Sequence, residues 1–203
     1  MSAYQRRKKR TIQISEQIVL ITGGGRSLGH SIVQAFADQG ARVVINYRNS
    51  AEESEALAAK YGPGHAVALQ ADVTDADQVA AILAQAQTHF GGPMTTVVNN
   101  ALADFSFNGD ARSSAAGITW PEFEAQFSGS VRGALNTIQQ ALPAMTEHGF
   151  GRIINIGTNL FQNPVVPNHD YTTAKAALLA LTRTMAADRE TNGGGRFGLC
   201  RRI

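Results

Sequence analysis

Tyr171 and Lys175 stand four residues apart in HDYTTAKAALLALTR, about 150 residues after the segment Thr22-Gly-Gly-Gly-Arg-Ser-Leu-Gly29. Side chains at i and i+4 share one face of a helix, so the Lys175 ammonium can sit beside the Tyr171 phenol. A neighbouring cation favours the phenolate and draws a tyrosine pKa below its ordinary ~10, towards the range in which it exchanges a proton with a substrate oxygen. The upstream glycines follow a short apolar run. A glycine turn between a strand and a helix lets backbone approach a pyrophosphate, and the helix start adds free N–H groups and a partial positive charge. The literal GxGxxG fingerprint fails, because Leu28 stands where the third glycine belongs, which leaves Thr22-Gly23-x-x-x-Ser27-x-Gly29. Each segment alone has a plainer reading, as an amphipathic surface pair or a glycine-rich connector. Together they suggest a reductase that uses a nicotinamide dinucleotide.

The elements that must position these groups follow from the hydrophobic pattern. Residues 18–21, 42–45, 66–69, 96–98 and 152–156 are short apolar runs that read as strands, and 28–39, 51–60, 76–89, 120–146 and 171–187 are Ala-rich stretches that read as helices. Strand alternating with helix at this interval predicts an α/β fold with a doubly wound parallel sheet of Rossmann type, whose ligands bind beyond the carboxyl ends of the strands. Residues 102–118 show no period and read as a loop over that edge. After Asp188 the pattern dissolves, and the ending GGGRFGLCRRI reads as neither strand nor helix.

The chain's 203 residues, 43% hydrophobic, suffice for one sizeable core. A single cysteine, Cys200, cannot form an internal bridge and gives no sign of an oxidising compartment, so a cytoplasmic location is expected. The formal charge of +2 conceals an asymmetry: Arg6 to Arg10 are five consecutive cations, and the remainder holds 13 basic and 16 acidic side chains. Such a run reads either as a solvated end or as a nucleic-acid-binding arm; we expect the former, with no nucleic-acid partner. No stretch approaches the ~18 apolar residues of a membrane span, and the five histidines and lone cysteine lack metal-ligand spacing. The expected organisation is a disordered basic tail over 1–14, a dinucleotide-binding catalytic domain over 15–190 and an irregular tail over 191–203.

Five ordered pieces carry a family resemblance: the glycine turn, Asp72-Val73, Asn99-Asn-Ala101, Gly151-Arg-Ile-Ile-Asn-Ile156 and Tyr171-x-x-x-Lys175. From about Val19 to Asp188 the sequence resembles the short-chain dehydrogenase/reductase family, most of all its 3-oxoacyl-(acyl-carrier-protein) reductase-like branch. The resemblance implies a hydride transfer between nicotinamide and a ketone or secondary alcohol, with a 3-oxoacyl thioester as a candidate substrate. Gly23, Arg26, Ser27, Leu28 and Gly29 would cradle the coenzyme, Asp72 and Val73 would border the adenine, and Asn99 to Ala101 would hold the fourth strand and line the coenzyme. Lys175 would grip the nicotinamide ribose beside Tyr171. Tyr47 and Arg48 follow the second strand with no carboxylate, and Arg26 lies in the turn; an acidic residue there would accept ribose hydroxyls, whereas basic groups suit a 2′-phosphate. Similar proteins with these two arginines prefer NADPH, so NADP(H) is the expected cofactor.

The sequence also departs from the family. Thr158 occupies the expected catalytic serine position and keeps its hydroxyl, while Ser130 stands for the asparagine that holds a water behind the lysine. Ser27 replaces a glycine, and Leu102 replaces the glycine after Asn-Asn-Ala. The family continues beyond the Tyr-Lys helix with further strands and a substrate lid, so the fold is expected to lack its last strands, with one sheet edge uncovered. The resemblance further implies a homo-oligomer, commonly a tetramer. The alternative reading is a catalytically weak or inactive dinucleotide-binding protein, a truncated family member.

Overall fold

The short runs of Val, Ile and Leu are too brief for buried helices, and each becomes a strand of one parallel sheet. The computed structural model describes residues 12–102, 112–191 and 196–200. In chain order the elements are β1 (Ile18–Thr22), α1 (Ser27–Ala37), β2 (Arg42–Tyr47), α2 (Ala51–Tyr61), β3 (Ala66–Gln70), α3 (Ala76–Phe90), β4 (Thr96–Asn99), α4 (Trp120–Phe127), a π turn (Ser128–Arg132), α5 (Gly133–His148), β5 (Arg152–Ile156), α6 (His169–Thr191) and β6 (Arg196–Cys200). The sheet order is β3-β2-β1-β4-β5-β6, all parallel. The chain reverses its direction of travel across the sheet between β1 and β4, which opens a crevice at their carboxyl ends.

Alternation along the strands divides the core in two. Leu20, Val44, Val97 and Ile153 face α3, α5 and α6, where they meet Ile82, Ile138 and Met145. Val19, Ile21, Val43, Ile45 and Val98 face α1 and α2 and meet Val33 and Leu57. The helices begin and end on local signals. Asp75 caps α3 by accepting hydrogen bonds from the N–H groups of Asp77 and Gln78, and Gly91 ends it in a left-handed conformation. Thr119 and Glu122 form a capping box at the start of α4.

Three expectations require correction. The tail expected to be irregular over 191–203 contains β6, which pairs along its full length with β5, from Arg152↔Arg196 to Ile156↔Cys200. The glycine-interrupted RFGLC has little strand propensity of its own, and the ladder with β5 supplies the conformation that the residues do not dictate. The β5 edge is therefore covered. The single helix expected over 120–146 is two α-helices joined by the π turn, and the N-terminal boundary is earlier than expected, since a 3₁₀ turn spans Ile14–Glu16. Residues 1–11, which include the basic run, and residues 103–111 lie outside the described residues. No helix among the described residues is long and apolar enough to cross a membrane.

Candidate active site

β1 delivers the chain to the crevice, where Thr22 anchors the glycine turn. Its hydroxyl accepts hydrogen bonds from the Asn100 and Ala101 N–H groups at 2.9 and 3.0 Å, and the Asn100 side-chain amide donates to the carbonyls of Thr22 and Gly23. The turn is thus bound to the end of β4. Gly23 has φ +63°, a conformation that favours glycine. A Cβ on Gly29 would collide with the Gly23 carbonyl oxygen and come within 2.8 Å of Asn100 Nδ2. Gly29, in the first turn of α1, therefore supplies the close helix–strand approach that the missing glycine at position 28 cannot. Ser27 is the one non-glycine residue with positive φ among the described residues, at +50°. We predict that Gly29→Ala displaces α1 from β1 and abolishes coenzyme binding, measured by NADPH fluorescence titration, while the chain stays folded by circular dichroism.

A cleft of about 970 Å³ runs along the carboxyl edge, past this turn, to Tyr171. Tyr47, Arg48, Asp72 and Val73 lie on its β2 and β3 side, Gly23, Arg26, Ser27, Leu28, Gly29 and Ala101 line its middle, and Thr158, Tyr171 and Lys175 line the other end. Arg48 lies 3.7 Å from the Asp72 carboxylate. Partial burial opposes the charge of Asp72, but hydrogen bonds from the N–H and hydroxyl of Thr74, with the Arg48 charge, hold its pKa below the usual carboxylate range. Tyr47 is buried beside Glu55, and burial, then that carboxylate, raises its phenol pKa. The size and lining of the cleft suit an extended dinucleotide with a small substrate beside it.

Tyr171 and Lys175 occupy the first two turns of α6. Lys175 Nζ lies 5.9 Å from the Tyr171 ring centroid and donates a 2.7 Å hydrogen bond to the Ile156 carbonyl at the end of β5. The side chain is 2% exposed, and burial lowers its pKa from 10.5 to about 8. Thr158 is 7% exposed; its Oγ1 accepts from Leu160 N–H, and among the described residues no acceptor takes its proton. The structure therefore brings a phenol, a buried amine and a hydroxyl to one end of the cleft.

Two expected site residues are placed differently. Asn99 does not line the cleft. It lies on the inward face of β4 with Val97, and its amide bonds to Asn155 and Thr137; Asn100, one residue on, faces the turn. Ser130 is 3% exposed within the π turn, which packs against α6, and its hydroxyl has no hydrogen-bond partner. Gly129, its neighbour, lines the cleft. A buried hydroxyl without a protein partner is a group fitted to hold water.

The match to protein-family models decides the affiliation: the model described as short chain dehydrogenase covers residues 17–193. The chain belongs to the short-chain dehydrogenase family. It is similar to Elsinochrome reductase 1 of Elsinoe fawcettii, with 33% identity over 88% of this chain and 64% of that protein, and to Versicolorin reductase stcU of Emericella nidulans, with 32% identity over 87% and 64%. A solved short-chain dehydrogenase from Streptomyces avermitilis superposes with a TM-score of 0.76 at 26% identity, covering 90% of this chain and 64% of that one. FolM Alternative dihydrofolate reductase 1 from Brucella canis, solved in complex with NADP, superposes at 0.75 with 27% identity, covering 87% and 68%. The chain thus spans about 64% of the length of these curated relatives.

Proposed function

We propose that this short-chain dehydrogenase family member is an NADP(H)-dependent oxidoreductase acting on ketones and secondary alcohols. The observation that carries the reading is Lys175 Nζ, buried against the Ile156 carbonyl and beside the Tyr171 ring, at one end of a cleft that passes a glycine turn. When bound, the coenzyme supplies or accepts the hydride. In reduction, Tyr171 donates its proton to the carbonyl oxygen as charge develops there, the Lys175 ammonium stabilises the phenolate left behind, and Thr158 donates a hydrogen bond to the same oxygen. Ser130 holds a water behind Lys175, in the place of the longer asparagine amide. Arg26 and Arg48 favour the 2′-phosphate of NADP(H), which must compete with Asp72 for Arg48. Two similar proteins are named as reductases and a structural neighbour is named as an NADP complex, which supports the same reading.

The test is oxidation of NADPH by purified protein with a panel of aryl, alicyclic and polycyclic aromatic ketones and 3-oxoacyl thioesters. Turnover of one of these that requires Tyr171 supports the proposal, and NADPH binding without oxidation of any overturns it. The coenzyme preference has a separate test. Arg26→Ala with Arg48→Ala is expected to weaken NADPH by roughly tenfold or more and leave NADH within about twofold, since each lost charged hydrogen bond to phosphate is worth about 1.5–3 kcal/mol.

A further inference from the structure

The last inward-facing row at the carboxyl edge of the sheet is polar where the row beneath it is apolar. Asn46, Thr22, Asn99 and Asn155 stand side by side across β2, β1, β4 and β5, all buried, over Val44, Leu20, Val97 and Ile153. Part of this row continues into the helices as one hydrogen-bonded chain. Thr137 Oγ1 shares its one proton between Asn99 Oδ1 at 2.7 Å and the Ala134 carbonyl at 2.9 Å, Asn99 Nδ2 donates to Asn155 Oδ1 at 2.8 Å, Asn155 Nδ2 to Thr182 Oγ1 at 2.8 Å, and Thr182 Oγ1 to the Leu178 carbonyl at 2.7 Å. From Asn99 to Leu178 every donor points the same way, and the sense is set at the Leu178 end. The Leu178 carbonyl can only accept, so the Thr182 hydroxyl donates to it and accepts from an amide NH₂, which in turn fixes the orientation of both asparagines. Head-to-tail order of this kind strengthens each bond.

The chain ends on α6, seven residues beyond Lys175 and on the same face. The rest of that face is Ala174, Leu178 and Leu179, whose packing is non-directional. Hydrogen bonds, by contrast, weaken within a few tenths of an ångström. α6 is tied to β5 at two adjacent residues, Lys175 to the Ile156 carbonyl and Thr182 to the Asn155 side chain.

We propose that Asn155 and Thr182 are positioning residues: their hydrogen bond, fixed in sense by the Leu178 carbonyl and continued to Asn99, sets the axial position of α6 and so the placement of Tyr171 and Lys175 in the cleft. The inference rests on the proposed oxidoreductase activity for its kinetic readout. Thr182→Val keeps the shape and removes the hydroxyl; Thr182→Ser keeps the hydroxyl. With the full chain, NADPH and a ketone that the wild type reduces, Thr182→Val is expected to lower kcat by about tenfold or more, the effect of a sub-ångström misplacement, with NADPH affinity within about twofold. Thr182→Ser is expected to restore kcat. Unchanged kcat in Thr182→Val overturns the proposal, as does equal loss in both variants or loss of NADPH binding in step with kcat. If the wild type reduces no ketone, the oxidoreductase reading falls separately, and positioning is judged by the ultraviolet titration of the Tyr171 phenol, taken by difference from Tyr171→Phe. An upward move in Thr182→Val upholds the tie, and coincident curves overturn it.

Discussion

Tyr171→Phe is expected to lower kcat for ketone reduction by roughly a thousandfold while NADPH binds with nearly wild-type affinity, because the substitution removes the transferable proton and keeps the ring. The ring is half-buried beside Lys175, and phenylalanine preserves its packing. A steady-state assay paired with fluorescence titration separates the two effects. A fall in binding equal to the fall in kcat would mean that the phenol serves to hold ligand rather than to move a proton.

Lys175→Met should be as damaging to turnover and should also change how stability depends on pH. Burial lowers the amine pKa to about 8 from 10.5. The sign follows from proton counting: between those values the unfolded chain binds more protons than the native one, so native stability rises with pH across that window. Below about pH 8 the buried ammonium is a constant penalty. The full rise is on the order of 3 kcal/mol, taking about 1.4 kcal/mol per pKa unit. Urea melts of wild type and Lys175→Met at pH values from about 7 to 10 check this, because the difference between the curves isolates residue 175. The Ile156 carbonyl loses its partner in the variant, which costs about 1–3 kcal/mol and leaves the two proteins close in stability at neutral pH. A difference that stays flat through the window would show that the amine is not held in a desolvated site. In the same free protein, kcat/KM for reduction should fall as pH rises through about 8, as the ammonium that supports the phenolate is lost.

The features legible in the sequence were those governed by local period. The helix bearing Tyr171 and Lys175 follows from its helical run, five of the six strands from short apolar runs and the turn from its glycines, and the structure has them. Asn99 shows both the reach and the limit of local pattern. The family resemblance implied a ligand role for it, yet the alternation Val97, Val98, Asn99 already directs it inward. The recurrence of a polar residue at the last or last-but-one strand position, at Thr22, Asn46, Asn99 and Asn155, was a signal for the buried polar row. Thr137 and Thr182, by contrast, look like ordinary helix residues until α5 and α6 are laid against the sheet. β6 was hidden for a related reason, since its conformation comes from a partner strand rather than from RFGLC. The π turn was unreadable because Gly129 and Gly133 do not interrupt helical periodicity, and the changed bonding appears only in space.

The left-handed backbone at Ser27 has a consequence for how that serine persists. A non-glycine residue there is disfavoured by roughly 1–2 kcal/mol, but glycine would enlarge the conformational freedom of the denatured chain and give back about 0.4–1 kcal/mol. The second effect offsets only part of the first, so folding alone favours glycine by up to roughly 1 kcal/mol. Whatever retains serine here must therefore be expressed outside folding, and the residue's place on the cleft wall points to its hydroxymethyl group.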